Sequence, residues 1–181
     1  MKLLIASDIH GDLDSANAVF SAYEREGCDK ILLLGDLLYH GPRNDLPATY
    51  APKAVIELLN ANKDEIITVR GNCDTEVDQM VLNFPILADY AYLSLDGLSV
   101  FATHGHHHNM QTPPALKCGE ILLHGHTHVL KCEEFGNGNF YLNPGSIALP
   151  KEENPRTYMV YENKRFTVKD LLGNVILTKE F

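Results

Sequence analysis

The chain has 181 residues, with 15 basic against 24 acidic side chains for a formal charge of −9, and 45% of it is hydrophobic against 22% charged. That composition excludes a disordered, collagen-like or coiled-coil chain, and it suits one compact domain over residues 1–181 that buries a core without disulfide or metal staples. A net negative surface also disfavours sequence-independent binding to nucleic-acid backbones, unless two divalent cations locally reverse the field by taking −9 to −5.

From the amino terminus, Lys2 to Ala6 is an apolar run cut short by Ser7-Asp8, too brief for a helix or a signal-peptide core, and it predicts a buried strand. Leu13, Ala16, Val19, Phe20 and Tyr23 recur at helical spacing after Asp12, and Gly27 supplies the stop. Lys30 to Leu34 predicts a second strand ending at Gly35-Asp36. After a loop rich in Gly, Pro and Asn, Pro52 opens a helix with Ala54, Val55, Leu58 and Leu59 on one face. Ile66 to Val69 predicts a third strand, ending at Gly71. This alternation implies parallel strands with right-handed crossovers, whose functional loops gather at the carboxyl ends.

The second half reads as β-rich. Tyr92 to Leu95 and Leu98 to Thr103 flank Asp96-Gly97, the dipeptide of a tight hairpin. Further strands are expected at Ile121 to Leu123, Lys131 to Phe135, Asn139 to Leu142, Thr157 to Tyr161, Arg165 to Asp170 and Val175 to Lys179. The expected fold is α/β, a four-layer sandwich of two mixed β-sheets flanked by α-helices. No segment approaches membrane-spanning length, and Cys28, Cys73, Cys118 and Cys132 form no C-x-x-C pair, which together predict a cytoplasmic protein with reduced thiols.

The nine histidines stand at 10, 40, 104, 106, 107, 108, 124, 126 and 128, outside both predicted helices and outside the last fifty residues. Asp8-Ile9-His10 follows the first strand, Gly35-Asp36 the second, and Gly71-Asn72-Cys73-Asp74 the third. His104 closes a later strand and Gly125-His126-Thr127-His128 follows another. Each fragment alone is an ordinary turn sequence. As an ordered set at strand termini, Asp8, His10, Asp36, Asn72, His104, His126 and His128 offer seven N and O donors, too many for one tetrahedral zinc. They suit a pair of divalent ions about 3.5–4 Å apart sharing one carboxylate, for which Asp36 is the natural bridge. Nitrogen with hard oxygen fits manganese, iron, zinc or nickel rather than thiolate-selected ions.

The phrases Ser7-Asp8-Ile9-His10-Gly11, Gly35-Asp36, His40-Gly41-Pro42-Arg43-Asn44, Arg70-Gly71-Asn72-Cys73-Asp74 and Asn143-Pro144-Gly145-Ser146 resemble the calcineurin-like metallophosphoesterase superfamily, and within it the YfcE-type bacterial phosphodiesterases, over nearly the whole chain. The resemblance implies one metal held by Asp8, His10, Asp36 and His128 and a second held by Asp36, Asn72, His104 and His126. It favours Mn²⁺ in both places. It also exposes a departure: many members carry histidine, thought to protonate the leaving oxygen, where this chain has Cys73. We read Cys73 as a small packed residue.

Arg43 is a candidate phosphate ligand through its planar fork, and His106, two residues past His104, a candidate for contact with a phosphate oxygen or for proton transfer. His107 and His108 read as a solvated loop, His40 and His124 as supporting or loop residues, and Asn143 to Ser146 as a turn near the site. The expected activity is hydrolysis of a small phosphodiester by a hydroxide bridging the two metals, with Asn72, His104, His106 and Arg43 as the catalytic side chains. The rival readings are a phosphomonoesterase or nuclease of the same superfamily, and a non-catalytic metal-binding scaffold resembling the retromer subunit. No membrane partner is expected, and exposed strand edges permit a homodimer.

Overall fold

A computed structural model describes residues 1–181. Its first strand, β1 (Leu3–Ala6), lies parallel to β2 (Lys30–Leu33), which lies parallel to β3 (Ile66–Thr68). The crossover helices are α1 (Leu13–Glu26) and α2 (Pro52–Ala61). α1 begins where expected because Asp12 caps it, accepting the Ser15 N–H at 3.0 Å, and it ends where Gly27 adopts φ +62°, which a side chain would resist. Pro52 occupies the first turn of α2, where its missing N–H costs nothing.

The second half adds β4 (Tyr90–Leu95), β5 (Leu98–Thr103), β6 (Ile121–His124), β7 (Leu130–Phe135), β8 (Asn139–Pro144), β9 (Thr157–Glu162), β10 (Arg165–Asp170) and β11 (Val175–Glu180). Two sheets result, one ordered β11-β10-β9-β1-β2-β3 and the other β4-β5-β6-β8-β7. The chain thus returns to complete its first sheet, with β9 antiparallel to β1. The elements agree with the sequence reading to within a residue or two at their ends. A short helix α3 (Glu76–Gln79) and a 3-10 turn at Lys63–Glu65 were not anticipated.

Alternation along the central strands explains the layering. Leu4 and Ala6 of β1 face α1 and α2, as do Ile31 and Leu33 of β2, whereas Leu3, Ile5 and Leu32 face the other sheet and meet Val100, Ala102, Ile121 and Leu123. Every one of these side chains is buried, the Leu, Ile and Val among them each contributing about 1.5–3 kcal/mol from removal of apolar area from water. The helical cover lies on the six-stranded sheet. On the outer face of the five-stranded sheet, Phe101, Leu122 and Tyr141 are covered instead by Met110 and Leu116, from the irregular segment between β5 and β6. All four cysteines are free, and no helix is long and apolar enough to cross a membrane.

Candidate metal centre

The strand-end loops are locked together beyond the ladders. The Asp8 N–H reaches the Gly35 carbonyl at 3.2 Å, His10 that of Asp36 at 2.9 Å, and Gly11 that of Leu37 at 2.9 Å. Asp74 stitches the loops after β2 and β3: its buried carboxylate accepts from the N–H groups of Asp36 (2.8 Å), Leu37 (2.9 Å) and Gly71 (2.7 Å). Burial pushes that carboxyl up to about 6, and the Asp36 charge adds to it. Gly71 is required because a Cβ there would run into Asp36, and Gly125 because a Cβ would run into Ser7, whose hydroxyl donates to Asp8 Oδ2 at 2.6 Å.

This packing brings the seven predicted donors to one rim. Five of them sit in the left-handed region of backbone space: Asp8 (φ +61°), His10 (+52°), Asp36 (+57°), His126 (+65°) and His128 (+62°). Main-chain carbonyls fix three imidazoles, each accepting an Nδ1–H: Tyr39 from His10 (2.7 Å), Leu34 from His104 (2.7 Å) and Leu149 from His128 (2.6 Å). A carbonyl only accepts, so each ring carries its proton on Nδ1 and turns Nε2 inward as a free donor to a metal.

Inside, nitrogen and oxygen lone pairs face one another. His10 Nε2 stands 3.2 Å from His128 Nε2, and His128 Nε2 3.2 Å from Asp8 Oδ1. His104 Nε2 stands 3.0 Å from Asn72 Oδ1 and 3.1 Å from His126 Nδ1. Asp36 Oδ2 lies between the two groups, 3.7 Å from His10 Nε2 and 3.5 Å from His104 Nε2. The ligand atoms of Asp8, His10 and His128 fall within 4.8 Å of one another, as do those of Asp8, Asp36 and His104. Asp8 Oδ1 is buried with no hydrogen-bond partner. Buried imidazole nitrogens and carboxylate oxygens converging at this spacing, one oxygen among them unpartnered, are what cations satisfy, so these residues fit divalent metal.

The electrostatics agree. Burial works against the charge on His104, yet the carboxylates of Asp36 and Asp8 push its pKa up to about 9. Burial likewise opposes ionisation of Asp8, but the imidazoles of His10 and His128 beside it hold it well below the usual carboxylate range. The buried pair of carboxylates is thus balanced by positive charge, which cations would replace.

A cavity of about 280 Å³ opens onto Asp36, Asn72, His126 and His128. Arg43 lines it from the loop before α2, close enough for its charge to add to burial and to His104 in lowering the His126 pKa. Lys151 lines it too, tied to a metal donor by its N–H on the His128 carbonyl at 3.0 Å; sequence reasoning missed it, since a lone lysine in a polar loop carries no signal. His106 does not line this cavity. Its ring sits 5.4 Å from that of His104 and 6.2 Å from that of His126, and burial lowers its pKa to about 4, so it is a neutral imidazole at the margin. Cys73 is buried at the cavity wall, where its Sγ accepts the Asn72 Nδ2–H at 3.2 Å and burial drives its pKa upward.

The remaining histidines stay outside. His40 stands between the rings of Tyr39 and Tyr50, and His124 stacks on Tyr141 at 4.4 Å. Asn143 and Pro144, expected in a turn, instead end β8, and they and the loop after them brace the site: Asn143 Nδ2 donates to the Gly125 carbonyl at 2.9 Å and the Ser146 hydroxyl to the Asp8 carbonyl at 3.0 Å.

Known proteins share this construction. The sequence profile of the calcineurin-like phosphoesterase superfamily domain matches residues 1–165. The chain is 45% identical to phosphodiesterase YfcE of Escherichia coli strain K12, covering 99% of this chain and 97% of that one. It superposes on the solved structure of the E. coli phosphoesterase Yfce with a TM-score of 0.94 at 43% identity, over 99% and 98% of the two chains. A Vps29 from Entamoeba histolytica, solved in complex with zinc, shares the fold at a TM-score of 0.56 and 23% identity, over 97% and 96% of the chains.

Proposed function

The chain belongs to the calcineurin-like phosphoesterase superfamily and is a metal-dependent phosphoesterase, and from that premise we propose that it hydrolyses small phosphodiesters with two divalent cations. The observation that carries the two-metal reading is Asp36, whose one carboxylate oxygen lies within 3.7 Å of His10 Nε2 and 3.5 Å of His104 Nε2. In this reading Asp8, His10, Asp36 and His128 hold one cation, and Asp36, Asn72, His104 and His126 the other. When bound, the cations supply a nucleophile activated from water and neutralise charge building on the phosphate. Manganese suits the mixture of imidazole nitrogen and hard oxygen; Cys73 Sγ, within 4.8 Å of donor atoms on His10 and Asp36, is the feature that would draw zinc instead.

The protein's own groups position the ester. The guanidinium of Arg43 grips a phosphate oxygen at the cavity mouth, and the Nδ1 anchors keep the donors of His10, His104 and His128 aimed inward before substrate arrives. No imidazole outside the metal-donor set stands in the cavity to protonate the leaving oxygen, since His106 lies outside it and burial makes the Cys73 thiol a poor proton donor. Esters whose departing oxygen is already acidic should therefore turn over best. The −9 charge supports a small diester over a nucleic-acid backbone, four free cysteines support a reducing cytoplasmic setting, and a core shared by strands from both halves supports one domain over 1–181. A complete donor set weighs against a scaffold role. A matrix of metals against mono- and diesters on metal-stripped protein tests the reading: restoration by manganese with diesters preferred is expected, and full turnover in excess chelator after verified metal removal would overturn it.

A further inference from the structure

The metal cavity is lined almost entirely by polar groups. A second cavity, of about 370 Å³, adjoins it, with Cys73 lining both. Its walls are mostly apolar, formed by Tyr39, Tyr50, Ile56, Val77 and Val81, with Lys53, Thr75 and Asp78 also lining it. Three of these are unusually open for their type: Val77 is 69% exposed and Tyr39 and Val81 are each 42% exposed. The groove is also built rigidly onto the metal centre. Tyr39 holds His10 through its carbonyl, and the rings of Tyr39 and Tyr50 both edge against His40, at 4.8 and 5.3 Å between centroids.

Contiguous exposed apolar surface marks a face that some group covers. Here the groove adjoins a site for phosphate across Cys73, and that position identifies the group. A phosphodiester brings two organic arms with its phosphate, and the mainly polar walls around about 280 Å³ offer an arm less apolar surface than the adjoining groove. We propose that the groove from Cys73 to Val81 is the seat of one ester arm of the substrate, an aryl or alkyl group of low polarity. This rests on the phosphodiesterase reading above and extends it from reaction type to substrate class.

The test uses full-length, manganese-loaded protein and two phosphinate anions that have no ester to cleave, dimethylphosphinate and diphenylphosphinate, with binding measured by calorimetry. Burial of an aryl ring should make the diphenyl anion bind about tenfold more tightly. A Val77→Asn, Val81→Asn double variant removes apolar surface without adding charge and should erase that preference. Its metal content and its affinity for dimethylphosphinate, which does not reach the groove, should stay at wild-type values and so confirm the fold. In turnover of p-nitrophenyl diesters whose second ester is methyl, butyl or phenyl, KM should rise in the variant for every substrate if the groove holds the departing arm, and only for the larger second esters if it holds the retained one. No preference in the wild type, or a preference that survives the double substitution, overturns the proposal. So does a change in oligomeric state with the preference intact, which would make a second copy the occupant. A protein that discriminates the phosphinates yet cleaves none of the diesters would instead overturn the phosphodiesterase reading and leave the groove standing.

Discussion

Two regions of this molecule use left-handed backbone for opposite reasons. In the β-rich half it makes hairpins: Asp96 (φ +50°) with Gly97 joins β4 to β5, and Asn163 (+50°) with Lys164 (+61°) joins β9 to β10. Asp and Asn tolerate that conformation, and the turn is the whole purpose. At the metal rim the same conformation recurs at Asp8, His10, Asp36, His126 and His128, where it aims donors and where residue type is dictated by chemistry. Such residues cost on the order of 1 kcal/mol or more each, and they persist when surrounding bonds over-determine them. The hairpins need no such support; the rim has Asp74, Ser146 and the interlocked loop carbonyls.

The comparison is most sharply exposed at Asp36. Asp36→Asn removes a charge shared by both groups of ligands, and turnover should fall about 10³-fold or more with loss of bound metal, measured by elemental analysis beside a diester assay. Retention of two metals with near-normal rates would show that Asp36 does not bridge. Next in size, Asp74→Ala leaves three buried N–H groups without their acceptor, and a loss of about 3 kcal/mol or more in denaturant unfolding is expected, together with weaker metal binding. A stability loss without any change in metal affinity would mean that the rim holds its own conformation. Arg43→Ala should raise KM roughly tenfold with metal content unchanged, and unaltered kinetics would make Arg43 a surface residue only. The smallest effect belongs to the hairpin: Asn163→Gly should change stability by less than about 1 kcal/mol and leave turnover alone.

These two regions also differ in how much of them could be read beforehand. Hairpins were legible from dipeptides, and the parallel strands and helices from apolar periodicity, because both signals are local. The donor set was legible because histidines and carboxylates cluster at strand termini. The α3 helix was not, since Glu76–Gln79 is a single turn held by a capping box between Thr75 and Asp78 and carries no period. Lys151 and the groove at Val77 and Val81 were equally silent: their neighbours His128 and Tyr39 are distant in sequence, and only the tertiary fold brings them together. The bonds of Asp74 to Asp36 and Leu37 were hidden for the same reason, although the residue stood inside a recognised phrase.

The carbonyls that orient His10, His104 and His128 belong to Tyr39, Leu34 and Leu149, and in each case the acceptor is main chain. The identity of the side chain at those three positions therefore has no part in aiming the imidazoles. Positions 34, 39 and 149 are free to drift with the demands of packing or of substrate shape while the donors stay aligned. Tyr39 is where that freedom matters, because the residue that anchors a metal donor through its backbone presents its ring to the apolar groove. Substrate preference can be altered there by replacement of one side chain, with the inner geometry of the catalytic centre inherited unchanged.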